Sequence, residues 1–98
     1  MSVQAPTIYN LTLETPGTEY SQALSHHIAY FTVKARTLAD FRLAYVSGET
    51  ADLEQYWTVN AGSSYSPPDD KDVIVGQLTL YFRSDTPNLV IEIQEWRR

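Results

Sequence analysis

The 98-residue chain is acidic, with twelve Asp and Glu against seven Lys and Arg for a net charge of −5, and it has no cysteine. Disulfides and thiolate zinc sites are therefore excluded, and with Lys34 as its only lysine before residue 70 the chain is a poor match for phosphate backbones, so no nucleic-acid partner is expected. An apolar share of 43% with 19% charged residues is ordinary globular composition, and the length fits a single domain over residues 1–98.

The first ten residues, MSVQAPTIYN, have neither a basic region nor an apolar run, so no signal peptide is expected. Apolar runs everywhere fall far short of the roughly 18–20 residues that a membrane span needs. Along the chain the dominant pattern is alternation with period two in short runs rich in Val, Ile, Thr, Tyr, Phe and Trp, which predicts strands. Tyr9, Leu11 and Leu13 form the first run, and Thr15-Pro16-Gly17-Thr18 follows with proline and glycine at the centre of a type II turn. Such turns splay strands, so a corner is expected there rather than a tight hairpin.

AYFTVKA predicts a strand with Ala29, Phe31, Val33 and Ala35 inward and Tyr30, Thr32, Lys34 and Arg36 outward. Thr37–Leu43 is the best helical candidate, but its flanks read as strand. FRLAYVS and QYWTVN predict a pair with Tyr45 opposite Trp57 and Leu43 opposite Val59. That register puts Trp57 in the core and leaves Gly48–Glu54 as an exposed acidic loop carrying Glu49 and Asp52. In NAGSSYSPPDD, residues 60 to 70, Gly62 permits an unusual backbone angle, the serines can satisfy local backbone groups, and Pro67-Pro68 forbids ladder pairing. The stretch is expected to end one strand and carry the chain, exposed through Asp69 and Asp70, to the next.

GQLTLYFR and NLVIEIQEW are the clearest alternating runs, separated by SDTP. Opposing Phe82 to Leu89 also brings Leu80 to Ile91 and Leu78 to Ile93, whereas a one-residue slip would set Leu80 against Glu92. A hairpin with the loop Ser84-Asp85-Thr86-Pro87 is therefore expected. Its other face would oppose Tyr81 to Val90, Thr79 to Glu92 and Val75 to Trp96. Aromatics and valines there are either scattered surface residues or the contact face of a neighbouring subunit. Trp96, Tyr81, Val90 and Tyr30 are the candidates for that contact. With about seven or eight short strands, the expected fold is an all-β, antiparallel, jelly-roll-like sandwich.

Motifs for chemistry are sparse. His26 and His27 are adjacent, so in an extended chain their imidazoles point to opposite faces and do not readily share one ion. Asp69, Asp70 and Asp72 form an acidic cluster, but Lys71 sits among them and no closing glycine and glutamate complete a calcium loop. Gly62-Ser63-Ser64-Tyr65 is not a nucleophile elbow, and Glu92 and Glu95 have opposite parity on one strand. No catalytic residues, metal or cofactor are expected, and the protein reads as a non-enzyme. Its twelve aromatic residues in so short a chain suit a core or a subunit contact, and exposed rings also suit sugar binding.

Two stretches carry a resemblance: FRLAYVSGETADLEQYWTVNAGSSYS, and LTLYFRSDTPNLVIEIQEW near the C-terminal end. With matching residues Tyr56 to Ser66 and Leu78 to Trp96, the chain resembles small β-sandwich structural proteins of the virions of tailed bacteriophages and prophages. It departs from that pattern at His26-His27 and at Pro67-Pro68. The resemblance implies a head-decoration, cement or fibre-base accessory, made in the bacterial host cytoplasm and carried on the virion. Such a protein works as a homo-oligomer and against other virion proteins of a capsid-type lattice, with no membrane partner. The alternative is a carbohydrate-binding module that holds a glycan on exposed Tyr and Trp rings.

Overall fold

The structure is a computed structural model that describes residues 5–26, 28–67 and 77–97, with Ala29 and Arg97 described in their backbone only. Among these residues there are eight strands: β1 (Thr7–Leu13), β2 (Tyr20–His26), β3 (Ile28–Ala35), β4 (Phe41–Ala44), β5 (Trp57–Val59), β6 (Ser64–Tyr65), β7 (Gln77–Arg83) and β8 (Leu89–Arg97). They form two four-stranded antiparallel sheets, ordered β1-β8-β3-β6 and β2-β7-β4-β5. The all-β sandwich expected from the alternation is what the chain forms. No helix among the described residues is long and apolar enough to cross a membrane.

Consecutive strands change sheet at every step except β4 to β5. This overturns the expected C-terminal hairpin. β7 pairs with β2 and β4, while β8 pairs with β1 and β3, so Leu80 and Ile91 are not ladder partners. Both belong to one core all the same, with Leu80, Phe82, Leu89, Ile91 and Ile93 each at most 1% exposed. Period two reports which face a residue takes and does not report which strand lies beside it. The apolar stripes meet across the sandwich as two stacked inner faces. The supposed outer pairs dissolve with the hairpin: Tyr81 lies opposite Ser21 and Ala44, Val90 opposite Thr12, and Val75 lies outside the described residues.

The β4–β5 pair forms two residues away from its expected register, with Phe41 opposite Val59 and Leu43 opposite Trp57. Trp57 is 60% exposed, which corrects its assignment to the core. It shares the inward parity of the buried Val59, but β5 is an edge strand, and Trp57 projects at the open margin between the sheets. On β3, Phe31 and Val33 are inward and fully buried as expected, and a register shift between Ile28 and Tyr30 also buries Ile28. The side chain of Ala29 lies outside the description.

Four corners meet at one end of the sandwich. Pro16 and Gly17 turn the β1–β2 corner, with Gly17 at φ 74° and Thr18 N–H donating to the Thr15 carbonyl at 3.4 Å. Gly17 N–H donates to the Ser84 carbonyl (2.9 Å) and Asn88 N–H to that of Glu14 (3.3 Å), which ties this corner to the β7–β8 corner. Ser84 Oγ donates to the Asp40 carbonyl (2.9 Å) and accepts from Thr86 N–H (3.1 Å). Asp40 Oδ1 accepts from Ala61 N–H (2.6 Å), which adds the β5–β6 corner. Within NAGSSYSPPDD, residues 60–63 make the turn, with Gly62 at φ 82°, and Ser64–Tyr65 then pair with Lys34 and Val33. The stretch therefore carries an edge strand as well as a corner, and Asp69 and Asp70 lie outside the described residues.

Phe82→Ala is expected to cost about 3–5 kcal/mol, the usual range for emptying a fully buried aromatic site. Ser84→Ala takes from the Asp40 carbonyl and the Thr86 N–H the partner that the buried Ser84 hydroxyl gives them and is expected to cost about 0.5–1.5 kcal/mol. Urea unfolding of both variants against Asp85→Ala, expected within about 0.5 kcal/mol of wild type, checks this; a neutral Ser84→Ala would contradict the corner network.

Candidate binding surfaces

The outer face of the β1-β8-β3-β6 sheet collects three of the four contact candidates. Trp96 lies opposite Tyr30, and Val90 is on the same side of β8 because Leu89, Ile91, Ile93 and Glu95 point inward. Ile8, 62% exposed, joins them from β1, opposite Gln94. A depression of about 190 Å³ lies among Ile8, Thr32, Lys34 and Gln94. Beside it Glu92 takes Arg36 Nε at 2.8 Å and Lys34 Nζ at 3.5 Å. The Arg36 hydrogen bond, aided by the Lys34 charge, holds the Glu92 carboxyl below its ordinary value. Tyr81 is not part of this face; it is half-buried on the outer side of the other sheet.

A second surface is the aromatic rim where the edge strands β5 and β6 approach each other. Trp57 packs on Tyr65 with ring centroids 6.0 Å apart, so one ring from each sheet closes the margin. Tyr65 and Tyr45 both rest on the fully buried Phe31, at 6.3 and 6.5 Å. The Tyr45 and Tyr65 hydroxyls are hydrogen-bonded at 2.7 Å. Burial, then the Tyr65 bond, pushes the Tyr45 phenol well above its ordinary value, so it stays neutral. Sequence reasoning missed this rim because Tyr45, Trp57 and Tyr65 come from three different segments, and only the sandwich brings β5 beside β6.

The segment between β4 and β5 is exposed at Gly48 and at Asp52, Leu53 and Glu54, yet it is pinned to the sandwich at its middle. Thr50 is fully buried. Glu19, from the β1–β2 corner, accepts hydrogen bonds from Gly48 N–H (2.9 Å) and from Thr50 Oγ1 (2.6 Å) and N–H (3.4 Å). Arg42 donates to the Thr50 carbonyl (2.9 Å), pairs with Asp52 (2.7 Å) and stacks over Tyr56 at 4.3 Å. Arg83 donates to Thr50 Oγ1 at 3.2 Å and to the Gly17 carbonyl. Arg42 and Arg83 are direct cross-strand partners, an arrangement that repels unless countered. Glu19 and Asp52 supply the counter-charges. The Glu19 interactions span 29 to 31 residues, which no local pattern displays. At the tip Leu53 adopts φ 69° and is fully exposed, while Glu49 is half-buried and Asp52 is exposed.

Of the residues considered for chemistry, His26 ends β2 with an exposed side chain, whereas His27, Asp69, Asp70, Lys71 and Asp72 lie outside the described residues. Among the described residues no group of three or more His, Asp or Glu is placed to hold a metal ion. Glu92 and Glu95 do face apart. Glu95 is fully buried, with Oε1 accepting from Ser25 N–H at 2.9 Å and Oε2 without a hydrogen-bond partner among the described residues. Its shared parity with Ile91 and Ile93 is the sequence signal from which a core position could have been read.

Burial opposes ionisation of Glu19, but the Thr50 hydroxyl and the Gly48 and Thr50 amides outweigh it and, with the Arg83 charge, bring the pKa below the ordinary 4.5. A carboxylate with a depressed folded pKa stabilises the fold above its unfolded pKa and loses that contribution as pH falls through the folded value. Glu19→Gln is expected to cost about 1–2 kcal/mol at pH 7. The gap to wild type should shrink as pH drops below 4.5. Urea unfolding from pH 7 to pH 3 checks this, and a gap that widens toward low pH would contradict it. Compared with known proteins, the chain matches no family model, no curated protein and no solved structure.

Proposed function

We propose that the protein is a non-enzymatic structural accessory of a bacteriophage virion, of the head-decoration, cement or fibre-base kind. It works in multiple copies, through contacts with itself and with other virion proteins, after synthesis in the host cytoplasm. The observation that carries the contact role is the outer face of the β1-β8-β3-β6 sheet, where Trp96 lies opposite Tyr30, Ile8 lies opposite Gln94, and Val90 is on the same side further along β8. Tryptophan and tyrosine are the residues that most often anchor subunit contacts, since a ring buries much area for little conformational entropy. The virion setting comes from the resemblance in Tyr56–Ser66 and Leu78–Trp96.

The strand order adds support at the level of architecture. Sheets ordered 1-8-3-6 and 2-7-4-5 follow from wrapping a long antiparallel ribbon of strand pairs into two layers. We read this order as jelly-roll-like, an architecture that serves in viral capsids and also in lectins. Fold is shared across functions, so the order supports the proposal by analogy only.

Light scattering coupled to size exclusion tests the contact. Wild type is expected to be oligomeric at micromolar concentration. Trp96→Ala should weaken assembly by roughly 30-fold, the effect of losing about 2 kcal/mol at an anchoring residue. A strictly monomeric wild type, or an unchanged oligomer in the variant, counts against the proposal.

A further inference from the structure

We propose that the rim formed by Trp57, Tyr65 and Tyr45 is a subsite for one unit of a neutral, all-equatorial pyranose oligosaccharide, which lies with a C–H face on the indole. This rests on the β5–β6 margin and is independent of the contact face described above. Trp57 keeps 60% of its surface exposed, yet the ring is not free to wander. It sits on a paired strand opposite the fully buried Leu43 and packs on Tyr65 at 6.0 Å. Tyr65 and Tyr45 in turn rest on the buried Phe31. A platform held this way loses little freedom when a ligand covers it.

The hydroxyl pair supplies the polar half of the match. Two phenols bring two protons and four lone pairs, and their mutual bond at 2.7 Å uses one of each. One donor and three acceptor positions remain on this pair, whichever phenol donates, and Tyr65 is the ring on which Trp57 packs. A pyranose presents the complementary surface, with C–H bonds on its face and hydroxyls around its rim. Charge narrows the class further. The chain carries a net −5, so uronate, sialate and phosphate-bearing sugars are disfavoured.

The test uses the full chain with Trp96→Phe, which leaves Trp57 as the only indole. Cellotetraose and chitotetraose are titrated against it, with tetragalacturonate as the acidic control, and emission and calorimetry are both read. A saturable emission shift is expected for at least one neutral tetraose, with weaker binding or none for the uronate. By calorimetry, Trp57→Ala should weaken binding at least tenfold. Tyr65→Phe keeps the ring and should weaken binding about two- to tenfold, the effect of one lost hydrogen bond. Thermal melts accompany both variants, and if Trp57→Ala does not fold, Tyr65→Phe decides. The proposal is overturned if neither neutral tetraose gives a saturable response, if the uronate binds tighter, or if Tyr65→Phe binds like wild type. It is equally overturned if Trp57 becomes shielded with rising protein concentration in the absence of sugar, which would make the rim a contact with a second copy.

Discussion

Leu89, Ile91 and Ile93 on β8 and Leu80 and Phe82 on β7 press the two sheets together, and each is at most 1% exposed. Burying each such side chain is worth about 1.5–3 kcal/mol. Against a net stability of about 5–15 kcal/mol for a small domain that is a large contribution, and Phe31, Phe41, Leu13, Leu24, Ile28 and Leu43 add to it in the same core. Both strands have neighbours on either side, so neither can rotate its stripe outward without breaking two ladders. The outward positions are fixed by the same constraint. Trp96, Gln94 and Val90 face out because Ile93, Ile91 and Leu89 face in.

A chain that changes sheet at nearly every strand must turn many corners, and each corner exposes backbone groups that want partners. Here the corners satisfy one another. Ser84 and Asp40 link three of them by hydrogen bonds, and Gly17 joins through the Ser84 carbonyl. Glu19 does the same for the long β4–β5 segment, gathering amides and a hydroxyl around one carboxylate. Arg42 and Arg83 hold that segment down on the outer face of the β2-β7-β4-β5 sheet, at a place where two opposed arginines would otherwise repel. The result is a long loop with a defined shape and an exposed leucine at its tip.

The two outward surfaces differ in kind. The Trp96 face is broad, flanked by the Lys34–Glu92–Arg36 cluster, and sits on a central strand. The Trp57 rim is narrow, lies between edge strands, and mixes ring faces with paired hydroxyls. The first suits a protein contact and the second a small flat ligand. The first lies on the outer face of one sheet and the second at the margin between the two sheets.

Alternation along single strands determined the all-β class, the inward Phe31 and Val33 of β3, the inward sets of β7 and β8 and the opposite orientation of Glu92 and Glu95, while Pro16-Gly17 marked the first corner. These are properties of a residue and its neighbours two positions away, and the chain displays them directly. Strand partnership is different, because the apolar stripes of β7 and β8 satisfy a hairpin and a stacked sandwich equally well. Only the tertiary structure separated them, by giving both strands other neighbours. The same limit hid the aromatic rim, where Trp57 has inward parity but lies at an edge, and the Glu19 pin, whose partners are 29 to 31 residues distant. Facing is decided locally, by the pleat; company is decided by which segments the packed sheets bring together.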